Sequence, residues 1–194
     1  MNIKKLILQN RSYRRFEQKH KIEKDFLLNL VDLARLSPSA RNQQALKFYI
    51  SNETIKNEQI FLQLAWAGYL KDWNAPKEGE KPAAYIVIMA DTNIAKADLP
   101  SWIYTDLGIA CQSILLGAVE NELGGCIIAA VNRPKLSEIL NLPENLKILS
   151  VVALGKPKEE IIIEEIKNNK IKYWRDENEV HHVPKRNLNE IIIN

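Results

Sequence analysis

Residues 107–131, LGIACQSILLGAVENELGGCIIAAV, are apolar enough to be mistaken for a membrane span, and they limit what the chain can become. A spanning helix needs about 20 mostly apolar residues and tolerates charge at its centre poorly. Here Gln112, Glu120, Asn121 and Glu122 interrupt the run, and Gly124-Gly125 follow. The stretch reads as a buried helix over 100–122 followed by a buried strand over 126–130. At 1.5 Å per residue that helix is roughly 35 Å long, enough to cross a domain. Its small residues Gly108, Ala110, Gly117 and Ala118 would let a second helix approach closely.

A buried helix and a buried strand require a core around them. The run AYIVIMA, 84–90, suits a strand buried on both faces. Residues 46–51 and 146–154 read as two further strands. Apolar residues Ile22, Phe26, Leu30, Leu33 and Ala34 recur at helical spacing, and that helix ends near Leu36 because Pro38 restricts the residue before it. Helical spacing returns over 54–67, and a short helix over 134–140 starts on proline. Residues 70–82, rich in charge, proline and glycine, read as an exposed loop. The highly charged tail from Pro157 onward ends in NLNEIIIN, too apolar to be disordered throughout.

At 194 residues the chain fits one domain with a real core, and no internal repeat suggests another. The net charge is only +3 with both signs interspersed, which argues against a general nucleic-acid or membrane surface. Two cysteines, Cys111 and Cys126, form neither a disulfide framework nor a CxxC pair, so a cytoplasmic setting is expected. The start, MNIKKLILQNRSYRRF, lacks the long apolar core of a signal peptide.

Several chemistries are missing. The chain has no GxGxxG, no GxxxxGK[ST], no HExxH and no GxSxG. Of its three histidines, His181 and His182 are adjacent; on a strand they point to opposite faces and make a poor metal site. Both cysteines sit in apolar runs, as structural thiols do. No acid–base–nucleophile set stands out, so any hard chemistry belongs to a cofactor.

Three sites, the first shared between two basic patches, suit an anion attached to a planar ring. NRSYRRF, 10–16, gathers Arg11, Ser12, Arg14 and Arg15, the guanidinium forks and hydroxyl that a phosphate wants; the alternative is a solvated basic start to a helix. VPKRN, 183–187, adds Lys185 and Arg186 if the two ends of the chain meet. SPSARNQQ, 37–44, offers Ser39, Asn42 and the backbone around Pro38-Ser39-Ala40 to the polar edge of a heterocycle. LGGCIIAA, 123–130, brings backbone close enough for an N–H to reach a ring nitrogen.

RSYRRF, SPSARNQQALKF, DLGIACQSILLGAVENELGGCIIAAV and the KR near the C-terminus together resemble the FMN-dependent nitroreductase family, in order and over nearly the whole chain. The resemblance implies an α+β, three-layer fold: a central, mostly antiparallel sheet flanked by helices, in an intertwined homodimer whose C-terminal tail wraps the partner. It implies one FMN in each of two interface clefts, with NADH or NADPH as electron donor. Arg11, Ser12, Tyr13 and Arg14 would take the phosphate and the adjoining flavin edge, with Lys185 and Arg186 completing the phosphate site. Pro38, Ser39, Ala40 and Asn42 would meet the ring from the other subunit, and the backbone of Ile128 and Ala129 would lie near its N5. No catalytic side chain is implied.

The implied activity is ping-pong reduction of nitroaromatic, quinone or related small-molecule acceptors. The alternatives are a flavin-binding sensor or carrier with little turnover, a specialised reductase for a narrow biosynthetic or dehalogenating step, and a non-flavin α/β protein. The chain departs from the family pattern at Asn10, at Ala129 and at Gln44-Ala45, where members often carry a basic residue, glycine and Pro-Trp. Trp66, Tyr69 and Trp73 are candidates to line the slot above the ring, which residues 66–74 and 100–105 would help to build.

Overall fold

The two most apolar runs form the centre of the protein. In the computed structural model, which describes residues 2–70, 73, 75–96 and 98–193, β2 (Ala84–Asp91) pairs antiparallel with β4 (Leu146–Gly155). On either side lie β1 (Leu46–Ser51) and β3 (Gly124–Ile128), both antiparallel to their neighbours, giving the order β1-β2-β4-β3. Alternation along β2 sends Ile86 and Ile88 to one face, where Leu27, Leu30, Ile114 and Ala118 pack on them. It sends Tyr85, Val87 and Met89 to the other, against Ile60, Trp66, Leu136 and Leu140. Both faces are covered, which is why AYIVIMA shows no polar alternation.

The helices that cover the first face are α2 (Lys24–Leu36) and α5 (Trp102–Glu120); α3 (Thr54–Phe61) and α6 (Arg133–Ile139) cover the second. This is the expected three-layer α+β arrangement. Helix α5 is long and apolar enough to cross a membrane, but half of that stretch is buried inside the fold. It is about 28 Å long at 1.5 Å per residue, shorter than 100–122 would give. At Gly117 a Cβ would lie 2.4 Å from Leu33 Cδ1 and 2.9 Å from Leu30 Cδ2, so here a small residue does admit α2. Gly108 faces open space and has no such role.

Other boundaries moved for physical reasons. Strand β3 begins at Gly124, two residues before the expected start, because the two glycines are strand residues rather than a break. A Cβ on Gly125 would meet Ala153 O at 2.5 Å and Leu115 Cδ2 at 2.7 Å, so the backbone needs glycine for close approach. Gly125→Ala is expected to destabilise the protein by about 1–3 kcal/mol, because a rigid carbonyl cannot yield to the methyl; an unchanged melting temperature would show that the sheet relaxes. Helix α3 stops at Phe61, not 67, because Leu64 bridges Val131 and Ala65 N–H donates to Ala130 O at 2.9 Å. Residues 71, 72 and 74 of the expected exposed loop over 70–82 lie outside the described residues. The rest of that segment is not wholly exposed, since Glu80 is buried at 2% exposure.

Three short helices escaped the sequence reading: α1 (Ile3–Gln9), α4 (Thr92–Ala95) and α7 (Leu188–Ile191). The tail forms a second sheet from β5 (Ile161–Glu165), β6 (Trp174–Arg175) and β7 (His181–Lys185), in the order β5-β7-β6. It docks on NRSYRRF, which is extended and not helical. Ser12 bridges Gly125 in parallel, Phe16 bridges Pro157, and Lys158 N–H donates to Arg15 O at 3.0 Å. The two ends of the chain therefore meet.

Candidate functional site

An extended backbone sends neighbouring side chains to opposite sides, and this separates Arg14 from Arg15 in NRSYRRF. Arg15 turns inward and is 9% exposed. Its Nε and Nη2 donate to the Glu80 carboxylate, both at 2.9 Å, and its Nη1 donates to Glu179 at 2.5 Å. These carboxylates hold its pKa above the usual arginine value, with the Glu80 hydrogen bonds the main cause. Tyr13 turns away from Ser12 and Arg14, its hydroxyl donating to Gln9 O at 3.0 Å and its ring lying over Gly124.

Ser12 and Arg14 turn the other way, into a cleft of about 320 Å³. The extended segment supplies Arg11, Ser12 and Arg14, helix α5 supplies Gln112, strand β3 supplies Ile127, and the tail supplies Tyr173, His181 and Lys185. Arg11 Nη2 donates to Ile7 O at 2.7 Å, while its Nε is buried without a partner among the described residues. Burial lowers the Arg11 pKa, with Tyr13 opposing. The Arg14 guanidinium lies 4.7 Å from the centre of the Tyr173 ring and donates to Ser12 O at 3.2 Å. Among the described residues no carboxylate lines this cleft; the buried Glu159 nearby accepts the Arg14 and Arg15 backbone N–H groups and pairs with Arg175. Three cations thus converge with a serine hydroxyl, and none of the three forms an ion pair among the described residues. That donor set fits a phosphate monoester. Arg186 is not among the lining residues; it donates to Glu190 at 3.0 Å and to Asn169 at 3.3 Å.

The loop after α2 borders a second cleft of about 350 Å³, lined by Ser37, Pro38, Ser39, Gln44 and Asp106 among others. A single 3₁₀ turn, Ala40–Asn42, is tied down by Asp106, whose Oδ1 accepts the Ala40 N–H at 2.9 Å. Arg41, Asn42 and Gln44 have φ of 51°, 55° and 52°, the left-handed region. The amides bond partly to one another: Gln44 Nε2 donates to Asn42 O at 3.2 Å and to Asn42 Oδ1 at 3.3 Å. Asn42 remains exposed, and Ser39 Oγ accepts the Gln44 N–H at 3.3 Å.

No residue lines both clefts. Within one chain, then, Arg11, Ser12, Arg14 and Lys185 come together, while Pro38 and Ser39 line the second cleft with Ala40 and Asn42 in the turn that follows. Ile128 is buried at the end of β3, and Ala129 is exposed beyond it, next to the Ile127 that lines the first cleft. Arg133 braces this exit, donating from Nη2 to Ala129 O and to Leu149 O, both at 3.0 Å. Of the aromatic slot candidates, Trp66 is core and Tyr69 packs at a tilt against Tyr173, ring centres 5.2 Å apart, while Trp73 lies under Arg175, 4.6 Å from its guanidinium carbon.

Sequence reasoning missed Asp106, Tyr173 and the placement of His181. A lone acid in the apolar helix WIYTDLGIACQ was a usable signal for Asp106; Tyr173 carries none. His181 and His182 do face opposite ways, His181 packing at a tilt against Tyr173 and His182 stacking on Trp174, and no metal-binding cluster occurs among the described residues. Burial raises the thiol pKa of both cysteines, in keeping with structural roles.

Residues 7–156 match the family model described as the nitroreductase family. A protein of Archaeoglobus fulgidus named as an NADH dehydrogenase/NAD(P)H nitroreductase is 28% identical over 160 residues, covering 80% of this chain and 86% of that protein. The crystal structure of a nitroreductase family protein from Clostridium novyi NT superposes with a TM-score of 0.66 at 27% identity, covering 81% of this chain and 88% of that one. An FMN-dependent nitroreductase from Clostridium difficile R20291 shares the fold, with a TM-score of 0.63 at 22% identity over 84% of this chain and 91% of that one.

Proposed function

The chain belongs to the nitroreductase family, and on that premise we propose that it is a cytoplasmic, homodimeric FMN-dependent oxidoreductase. It takes electrons from NADH or NADPH and reduces nitroaromatic, quinone or related acceptors. The names of the Archaeoglobus and Clostridium difficile relatives support the donor and the cofactor. The observation that carries the reading is the cleft where Arg11, Arg14 and Lys185 converge with Ser12 and without a carboxylate.

Arg11, Ser12, Arg14 and Lys185 hold the phosphate in this reading, by charge-assisted hydrogen bonds. Tyr13 seats their segment on Gly124, and Arg186, paired with Glu190 outside this cleft, is not needed for the phosphate. Pro38, Ser39, Ala40 and Asn42 of a second copy meet the ring, which explains why they are separate from the cations within one chain. The exposed apolar side chains of α1 and α7, Ile3, Ile7, Leu188 and Ile191 among them, suit that second copy. Ile128 and Ala129 present backbone to the ring, on an exit that Arg133 keeps in place. Bound FMN would supply the two-electron redox chemistry. The protein binds, orients and excludes water, and the nicotinamide donor leaves before the acceptor enters.

The test is a visible spectrum of the purified protein, repeated anaerobically with NADH and then NADPH. The expected result is a yellow protein that bleaches within seconds. A yellow protein that stays oxidised would favour a sensor or carrier. A colourless protein that also fails to take up FMN would overturn the reading.

A further inference from the structure

The cleft contains one polar group that the cation cluster does not explain. His181 is 1% exposed, yet it lines the cleft beside Arg14 and Lys185. Its Nε2 stands 3.4 Å from Arg14 Nη1. A guanidinium can only donate, so Nε2 must accept, and the ring must be neutral with its proton on Nδ1. That Nδ1 is buried with no partner among the described residues. The Tyr173 ring packs against the imidazole at a tilt of 48°, centroids 5.1 Å apart, and also lies under Arg14. A core position with no other task would carry a hydrophobic residue and avoid an unpaired donor.

We propose that His181 is a positioning residue: as a neutral acceptor it holds the Arg14 guanidinium on Tyr173, so that the remaining N–H groups face an anionic phosphate monoester. A carboxylate here would grip Arg14 harder but would cancel the charge that the anion needs. A neutral ring fixes the geometry and leaves the charge intact. The groups facing the ring favour that neutral state: burial, followed by Arg14, Arg175 and His182, brings its pKa down to about 4, and Lys185 and Arg11 share the cleft. With that pKa the imidazole is uncharged near neutral pH.

The proposal rests on the reading of this cleft as the FMN phosphate site. The experiment is titration of the apoprotein with FMN by flavin fluorescence, with inorganic phosphate as competitor and a thermal melt as fold check. His181→Leu is expected to weaken FMN about tenfold, and His181→Gln, which keeps an acceptor, to recover most of it. His181→Glu is expected to bind no better than His181→Leu. In an Arg14→Ala background, His181→Leu should add less than about threefold, since its effect runs through Arg14. The ratio of wild-type to His181→Leu affinity should stay constant from about pH 6 to about pH 8.

Full effects in both backgrounds, or a ratio that rises as the pH falls, would overturn the positioning role. So would wild-type affinity in His181→Leu. Failure of the wild-type apoprotein to bind either FMN or phosphate would instead overturn the underlying site. If His181→Leu does not fold, the Gln and Glu variants, compared in both backgrounds, decide by themselves.

Discussion

Apoprotein carrying Arg11→Ala and Lys185→Ala together is expected to bind FMN several hundredfold more weakly than wild type. Both residues line the cleft that lacks a carboxylate, one from the N-terminal segment and one from β7. A charge-assisted hydrogen bond contributes roughly 1.5–3 kcal/mol, so the pair contributes about 3–6 kcal/mol. Tenfold in affinity corresponds to about 1.4 kcal/mol, which places the loss between about a hundredfold and ten-thousandfold. Lys185 is exposed and screened by water, which moves the expectation to the lower part of that range. The measurement is fluorescence titration at fixed salt, because screening acts on the same term. Turnover at saturating FMN should fall far less, since neither side chain is assigned to the ring. Affinity within threefold of wild type would mean that the phosphate lies elsewhere.

The second large effect concerns stability. Glu80→Ala leaves Arg15 buried with its bidentate partner gone. Breaking a buried pair in this way costs about 3–5 kcal/mol, because the remaining charge is poorly solvated and keeps only the exposed Glu179 as a partner. For a protein of this size each kcal/mol lowers the melting temperature by about 2–4 °C, so a drop on the order of 10 °C is expected. Glu179→Ala is the control: it also touches Arg15 but its side chain is 65% exposed, so its removal should cost under about 1 kcal/mol. If the two variants melt together, the buried pair is not the main tether between segment and loop.

The same carboxyl predicts a pH dependence. Hydrogen bonds from Arg15 above all, and from Lys158, hold the Glu80 pKa below its ordinary value, with burial opposing them. A group whose folded pKa is depressed contributes its full stability above its unfolded value, about 4.5 for this carboxyl, and loses it as the pH falls through the folded pKa. Wild type should therefore lose stability in acid below about pH 4.5, and Glu80→Ala should lose less over the same range. Parallel acid-unfolding curves would assign that titration to other carboxyls.

Much of the fold was legible because its central elements have only one solution. AYIVIMA has to be buried on both faces, and Leu46–Ser51 is observed with the expected ends. The glycines that open β3 misled, because a glycine pair looks the same in a sequence whether it breaks a strand or lets another chain segment approach. The tail was illegible for a different reason. Its β5 pairs parallel with β7 some twenty residues later, Ile161 with His181, and parallel pairing leaves no local turn signal. In the candidate site, residue types were readable and their partners were not. Asp106 reaches the Ala40 N–H from 66 positions away, and Arg14 meets His181 across 167.

By itself the sequence determined which chemistry was on offer: arginines and a serine at one end, a lysine and an arginine at the other, polar amides after α2, and no catalytic set. Tertiary structure decided which of these cations are free. Arg14 and Arg15 are the same residue type side by side, and nothing local separates them. The extended backbone turns one into a cleft without carboxylates and the other toward Glu80 and Glu179. A charge is available to a ligand only if no opposite charge already holds it, and the residues that settle this come from distant parts of the chain.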